Sequence, residues 1–163
     1  MIESKLDGTE ETNLGFGYDP ICTADGQKLV STGFKDSEWA IVVREGMETR
    51  HLKLPAHPAV NIYPAPSPDT QQIAFSMKGD NGTMQIGLMS IDGSNLRQLT
   101  RTGDGNTRAT FSPDGRYIAF IRGLDSPACV VIVDPQTGAE TIIANDAQPI
   151  RPVWHTVPAV PKN

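Results

Sequence analysis

Three histidines, two cysteines and a handful of aspartate-bearing turns are the residues of this 163-residue chain that could do chemistry. His51 and His57 have no Cys or carboxylate at ligand spacing, so they read as turn or solvent-facing side chains and not as part of a zinc site. His155 sits in what proves to be a repeated hydroxyl position. Cys22 and Cys129 lie 107 positions apart and form no CxxC pair. They read as small buried apolar residues, with a structural disulfide as the alternative. Two acidic turns, Lys78-Gly79-Asp80-Asn81-Gly82 and Thr102-Gly103-Asp104-Gly105-Asn106, offer oxygens to calcium but lack the alternating ligands and closing Glu of a calcium loop. Asp-Gly and Asn-Gly are hairpin-turn residues first. No Gly-x-Ser-x-Gly elbow occurs, and Asp92-Gly93-Ser94-Asn95 is a turn between strands. The expectation is no catalytic residue, no metal and no cofactor. The chain does not read as an enzyme.

The totals agree with a folded binding domain. The chain is long enough to bury a core, and 38% hydrophobic with 20% charged residues is ordinary for a globular protein. Fourteen Lys and Arg against nineteen Asp and Glu give a net charge of −5, so no electrostatic footprint for nucleic acid is visible. No stretch approaches the roughly 18 to 20 apolar residues of a membrane span. The polar start, Met-Ile-Glu-Ser-Lys-Leu-Asp-Gly, lacks the apolar segment of a secretory signal. If Met1 is the native start the expected compartment is the cytoplasm.

The positioning elements emerge from an internal repeat. Thr23, Ser67, Ser112 and His155 align with steps of 44, 45 and 43 residues. The first three sit in turns: Cys22-Thr23-Ala24-Asp25-Gly26, Pro66-Ser67-Pro68-Asp69-Thr70 and Phe111-Ser112-Pro113-Asp114-Gly115. Proline recurs three residues earlier at Pro20, Pro64 and Pro152, with Ala109 as the exception. Apolar runs follow each turn at Leu29-Val30, Ile73-Ala74-Phe75 and Ile118-Ala119-Phe120. Gly46, Gly93 and Gly138 mark later turns, and Leu54, Leu99 and Ile143 close the units.

Within a unit everything reads as β. Asp bonds its own backbone, Gly accepts positive φ and Pro presets the second turn position, so Ser-Pro-Asp-Gly reverses the chain. The flanking runs are strand-length and rich in Val, Ile, Phe and Met, and no window carries a capped helical stripe. Unit two predicts strands near 60–66, 72–77, 84–91 and 95–99. Four short antiparallel strands repeated about every 45 residues describe a β-propeller blade. The expected organisation is an arm over 1–18, blades over 19–54, 60–99 and 107–143, a first strand of a fourth unit over 150–156, and a Pro-rich tail over 157–163. The predicted fold class is all-β: three four-stranded antiparallel blades plus one extra strand, an incomplete, open propeller.

One row of this repeat carries potential binding chemistry. Asp19, Tyr63, Arg108 and Arg151 each stand just before the repeated proline position. Strand alternation would put them at one place on successive innermost strands, forming an arc at one opening of the funnel. Arg and Tyr are common interface anchors, so the row is a candidate partner-binding rim, the alternative being merely polar strand ends. Trp39, beside Asp36-Ser37-Glu38, is a further candidate at an exposed edge, or else a core residue.

The stretch Ala109–Phe120 resembles the signature of TolB-like propeller repeats, Pro-x-Phe-Ser-Pro-Asp-Gly-x-x-Ile-Ala-Phe. The second unit is similar through Ser67-Pro68-Asp69, Ile73-Ala74-Phe75 and Met89–Gly93. The first is degenerate. The resemblance covers about residues 19 to 156 and implies a rigid scaffold that offers a funnel and a rim to protein partners. It implies an exported location if a leader has been removed, and similar repeats also form the non-catalytic part of prolyl-oligopeptidase-type hydrolases. Family propellers usually close with six or more blades, and this chain departs from them with three.

Three blades cannot close a ring. If each of two open faces carries on the order of 300 Å² of apolar area, about 15 kcal/mol of burial is forgone, as an upper estimate. That rivals the roughly 5–15 kcal/mol stability of a domain. The expected partners are therefore another protein subunit, or a second copy of the chain, covering the open blade faces. Folding of the arm and tail over the ends is the remaining possibility. No nucleic acid is expected.

Overall fold

In the computed structural model, residues 1–3, 9, 12–13, 16–54, 62–124, 127–148 and 150–155 are described. His57, the Pro55–Pro58 connector, the opening of the expected 60–66 strand and the tail 157–163 lie outside them. All regular structure among the described residues is β. Strands β1 (Ile2–Glu3) and β2 (Thr12–Asn13) pair as a small antiparallel ribbon within the expected arm.

The first sheet contains β3 (Tyr18–Cys22), β4 (Lys28–Lys35), β5 (Glu38–Glu45) and β6 (Glu48–Lys53) in that order. The second contains β7 (Ala65–Pro66), β8 (Gln72–Lys78), β9 (Met84–Ser90) and β10 (Arg97–Gln98). The third contains β11 (Thr107–Phe111), β12 (Ile118–Arg122), β13 (Ala128–Val133) and β14 (Glu140–Ala147). Each is an up-and-down antiparallel meander, the blade that the repeat predicts.

The turn between the first two strands is built the same way three times. The hydroxyls of Thr23, Ser67 and Ser112 donate to the carboxylates of Asp25, Asp69 and Asp114 at 2.6, 2.5 and 2.6 Å. The same hydroxyls accept from the amides of Lys28, Gln72 and Tyr117. Each carboxylate also accepts the amide two residues on, at Gln27, Gln71 or Arg116. These bonds favour the ionised acid, and they hold Asp25 and Asp114 below the ordinary carboxylate value. A carboxyl depressed in the folded state stabilises the fold above its unfolded pKa and loses that contribution as pH falls through the folded value. Urea midpoints should therefore drop below about pH 4. A midpoint flat to pH 2 would remove these turns from the ledger of stability.

The repeat tolerates one strained substitute. The fourth turn residue is glycine at Gly26 and Gly115, with φ of 68° and 72°, but threonine at position 70, with φ of 61°. A β-branched side chain in the left-handed region costs on the order of 1–2 kcal/mol. Thr70→Gly should raise stability by about 1 kcal/mol after the entropy cost of glycine is subtracted, measured as a shift in chemical denaturation.

Alternate residues of the second sheet face opposite neighbours. Ile73, Phe75 and Met89 pack with Val30, Ile41, Val43 and Leu52 of the first sheet. Ala74, Ile86 and Leu88 pack with Ile118, Phe120, Val131 and Val133 of the third. Two interblade layers thus form the core. The expected first strand of a fourth unit is not realised as a strand: residues 150–155 form no ladder, because among the described residues no second strand lies beside them. The segment is nevertheless laid against the third sheet, where Trp154 Nε1 donates to the Thr110 carbonyl at 3.2 Å. Among the described residues, no helix is long and apolar enough to cross a membrane.

Candidate functional site

The row Asp19, Tyr63, Arg108 and Arg151 is brought together, though not by simple alternation. Asp19, Tyr63 and Arg108 all adopt left-handed backbone, with φ of 50°, 47° and 58°. In the first and third sheets the ladder slips at this point, between Tyr18 and Ile21 and between Thr107 and Thr110. A bulge, and not an unbroken strand, aims Asp19 and Arg108, whereas Tyr63 lies just before β7 and Arg151 after β14, outside the ladders. Three non-glycine residues held at positive φ at equivalent positions mark a backbone that the surrounding sheets over-determine.

Their side chains form one cluster. The Arg108 guanidinium lies 4.6 Å above the centre of the Tyr63 ring and donates to its hydroxyl at 3.1 Å. Arg151 donates to the Pro64 carbonyl at 3.3 Å. Burial lowers the Arg151 guanidinium from its ordinary value; the Asp19 carboxylate opposes that shift and the Arg108 charge adds to it. Two cations, one carboxylate and a phenol therefore share one half-buried arc. Planar forks and a stacked ring suit recognition of carboxylates and carbonyls.

Trp39 lies elsewhere. Its ring is 4.9 Å from Phe34 and 5.8 Å from Tyr18, whose ring in turn meets Phe16 at 5.1 Å. It is half-buried against the first interblade layer, between the two readings drawn from sequence. Phe16, Tyr18 and Phe34 are exposed beside it.

His51 and His155 are exposed, and burial followed by the Lys35 charge lowers His51. Among the described residues no three His, Cys, Asp or Glu converge as a metal site. In the 78–82 turn, Asn81 Oδ1 accepts from Thr83. In the 102–106 turn, Asn106 points inward, fully buried. Its Nδ2 donates to Gln85 Oε1 at 2.8 Å and to the Thr102 carbonyl at 2.8 Å, and its Oδ1 accepts from Arg122 Nε at 3.0 Å. Thr100 donates to the same Gln85 oxygen at 2.7 Å, while Arg122 pairs with Glu140 at 2.6 Å. Sequence reading missed this network: Gly-Asp-Gly-Asn looks like a turn whatever its asparagine does, and the only signal was a glutamine, Gln85, near the start of an otherwise apolar strand.

Cys22 corrects another expectation. Both cysteines are free, but Cys22 is exposed and Cys129 only half-buried. Cys22 occupies the position of Phe111, which packs on the preceding sheet. Cys22, unlike Phe111, belongs to neither interblade layer and is left uncovered.

Comparison with known proteins is consistent with this architecture. A sequence model of the TolB beta propeller domain matches residues 7–156. The Protein TolB homolog of Chlorobium chlorochromatii (strain CaD3) is 32% identical over 83 residues, 51% of this chain and 19% of that protein. The structure of putative TolB from Agrobacterium tumefaciens superposes with a TM-score of 0.72 at 22% identity, over 86% of this chain and 54% of that one. The β-propeller domain of the Trilobed protease from Pyrococcus furiosus, described as having an open velcro topology, gives 0.56 at 18% identity, over 88% and 48%. This chain spans a fifth of the curated relative's length and about half of each solved one.

Proposed function

The chain belongs to the TolB β-propeller family, and from that premise we propose that it is a non-catalytic protein–protein interaction module, an accessory piece of a larger assembly. One observation carries this reading. The outward face of the third sheet repeats the face that the second sheet buries against its neighbour. Ala119, Val130 and Ile132 stand in register where Ala74, Ile86 and Leu88 stand one blade earlier. In the second sheet these positions are buried under the third. In the third sheet Val130 and Ile132 remain half-exposed, and Ile143, Ile150 and Val153 are exposed as well. Apolar side chains left open at such positions support an interaction surface.

The rim of Asp19, Tyr63, Arg108 and Arg151 is the companion feature of the same reading, a polar anchor at the funnel, and the aromatic set around Trp39 borders the other end. The reading is tested by the native mass of the chain. In non-denaturing extracts it should run well above its own 17.6 kDa, with a stoichiometric partner. A stable free monomer in the native extract contradicts it.

A further inference from the structure

The rim holds two positive charges on a backbone that one buried serine pins in place. Ser76, fully buried on β8, donates its amide to the Ile62 carbonyl at 2.6 Å, one residue before Tyr63. Its hydroxyl oxygen accepts the Arg108 amide at 3.3 Å. Ser76 thus ties together the two left-handed residues that stack on one another, Tyr63 and Arg108. Backbone of this kind is costly and persists only where its surroundings over-determine it. The two guanidiniums then converge on adjacent residues, Arg108 on the Tyr63 hydroxyl and Arg151 on the Pro64 carbonyl.

Both contacts are with neutral oxygens. Among the described residues neither Arg108 nor Arg151 has a carboxylate within ion-pair distance. Arg122 shows the alternative in the same molecule, a half-buried guanidinium that meets Glu140 at 2.6 Å. Burial lowers Arg151, and the opposing Asp19 carboxylate does not cancel that shift. Removing cations from water without an anion is unfavourable, so this pair contributes nothing to the fold that neutral side chains could not. Most N–H donors of both forks remain unspent. Two guanidiniums against the Asp19 carboxylate leave one positive charge in excess, in a chain whose net charge is −5. A single carboxylate balances that excess and takes a planar fork with both oxygens. A phosphate dianion would overshoot it and face Asp19.

We propose that the rim binds one carboxylate between the forks of Arg108 and Arg151, with Ser76 as the positioning residue that sets their frame. The carboxylate belongs either to a small free acid or to the C-terminus of an extended segment, and its chemistry at the forks is the same. Neither open face of the arc enters the site. The assignment deepens the reading of the rim as an anchor and rests on that reading only for a carboxylate carried by a partner.

The test titrates sodium acetate into the chain at constant ionic strength and follows the arginine side-chain resonances by NMR. Chloride and inorganic phosphate are the comparison anions. Acetate should shift Arg108 and Arg151 saturably, and both other anions should bind more weakly. Arg108→Gln and Arg151→Gln should each weaken acetate by about tenfold or more, while Arg116→Gln, at an exposed turn, should leave it unchanged. Ser76→Ala should lose affinity although both arginines remain. Ser76→Thr, which supplies the hydroxyl that Thr32 carries one blade earlier, should restore it. Tetraalanine and its C-terminal amide separate the two sources. If the free-acid peptide binds more tightly than acetate and amidation abolishes it, the carboxylate belongs to a chain terminus; equal affinity assigns it to a small acid. No saturable acetate shift, or one that survives both arginine variants, overturns the site, and tighter binding of phosphate overturns the carboxylate. A chain that ignores acetate yet runs above its own mass in native extracts loses this site and keeps the interaction reading. A free monomer that binds acetate keeps the site and loses that reading.

Discussion

Phe120→Ala is expected to bring the isolated chain close to unfolding, with a loss of about 3–5 kcal/mol in equilibrium denaturation. Phe120 is fully buried on β12, in the layer where the third sheet meets the second. Truncation removes a ring from a dry layer whose backbone frame is held by ladders on both sides, so the cavity cannot collapse. A loss of that size is a large part of a domain's typical stability of about 5–15 kcal/mol. The informative comparison is Ile132→Ala, one strand away on the opposite face. Because Ile132 is only half-buried and no sheet lies on that face among the described residues, the isolated chain should lose about 1 kcal/mol or less. Equal losses at both positions would mean that something already covers the outward face.

The second large effect is expected at Asn106. Asn106→Leu keeps the volume but deletes a buried amide that satisfies the buried Gln85 Oε1 and, in part-buried bonds, the Thr102 carbonyl and Arg122 Nε. Leaving buried polar groups unpaired costs about 1–3 kcal/mol each, and a guanidinium at the upper end, so the expected loss is about 3–5 kcal/mol. The network joins β9, the loop after β10, β12 and the start of β14, so its failure should also loosen the second sheet from the third. Asn81→Ala, at an exposed turn, should cost under about 1 kcal/mol. If the two substitutions cost the same, the buried network contributes little and the interblade loop is held by other contacts.

These two sites differ in how far sequence exposed them. The layer around Phe120 was legible because Ile-Ala-Phe recurs at a fixed distance from a turn whose chemistry is local; hydroxyl, carboxylate and amide lie within five residues of one another. The three four-stranded antiparallel sheets followed from that. Asn106 was not legible, since its role depends on Gln85, Thr100 and Arg122 arriving from other strands. The rim was half legible. Register alone grouped Asp19, Tyr63, Arg108 and Arg151, but the left-handed backbone of the first three, and the bulge that aims Asp19 and Arg108, depend on how each segment meets the next strand. Cys22 was misjudged for a related reason: residue type suggested burial, while its place on the first sheet's uncovered face decided exposure.

Photo-crosslinking in the native assembly addresses the central claim most directly. A photoreactive side chain at Val153, 88% exposed beside the third sheet, should give a single adduct of higher mass. The same group at Met47, fully exposed in the hairpin of the first sheet, should give none. Adducts from Met47 alone, or from neither position, would contradict an arc that binds its partner through its last blade.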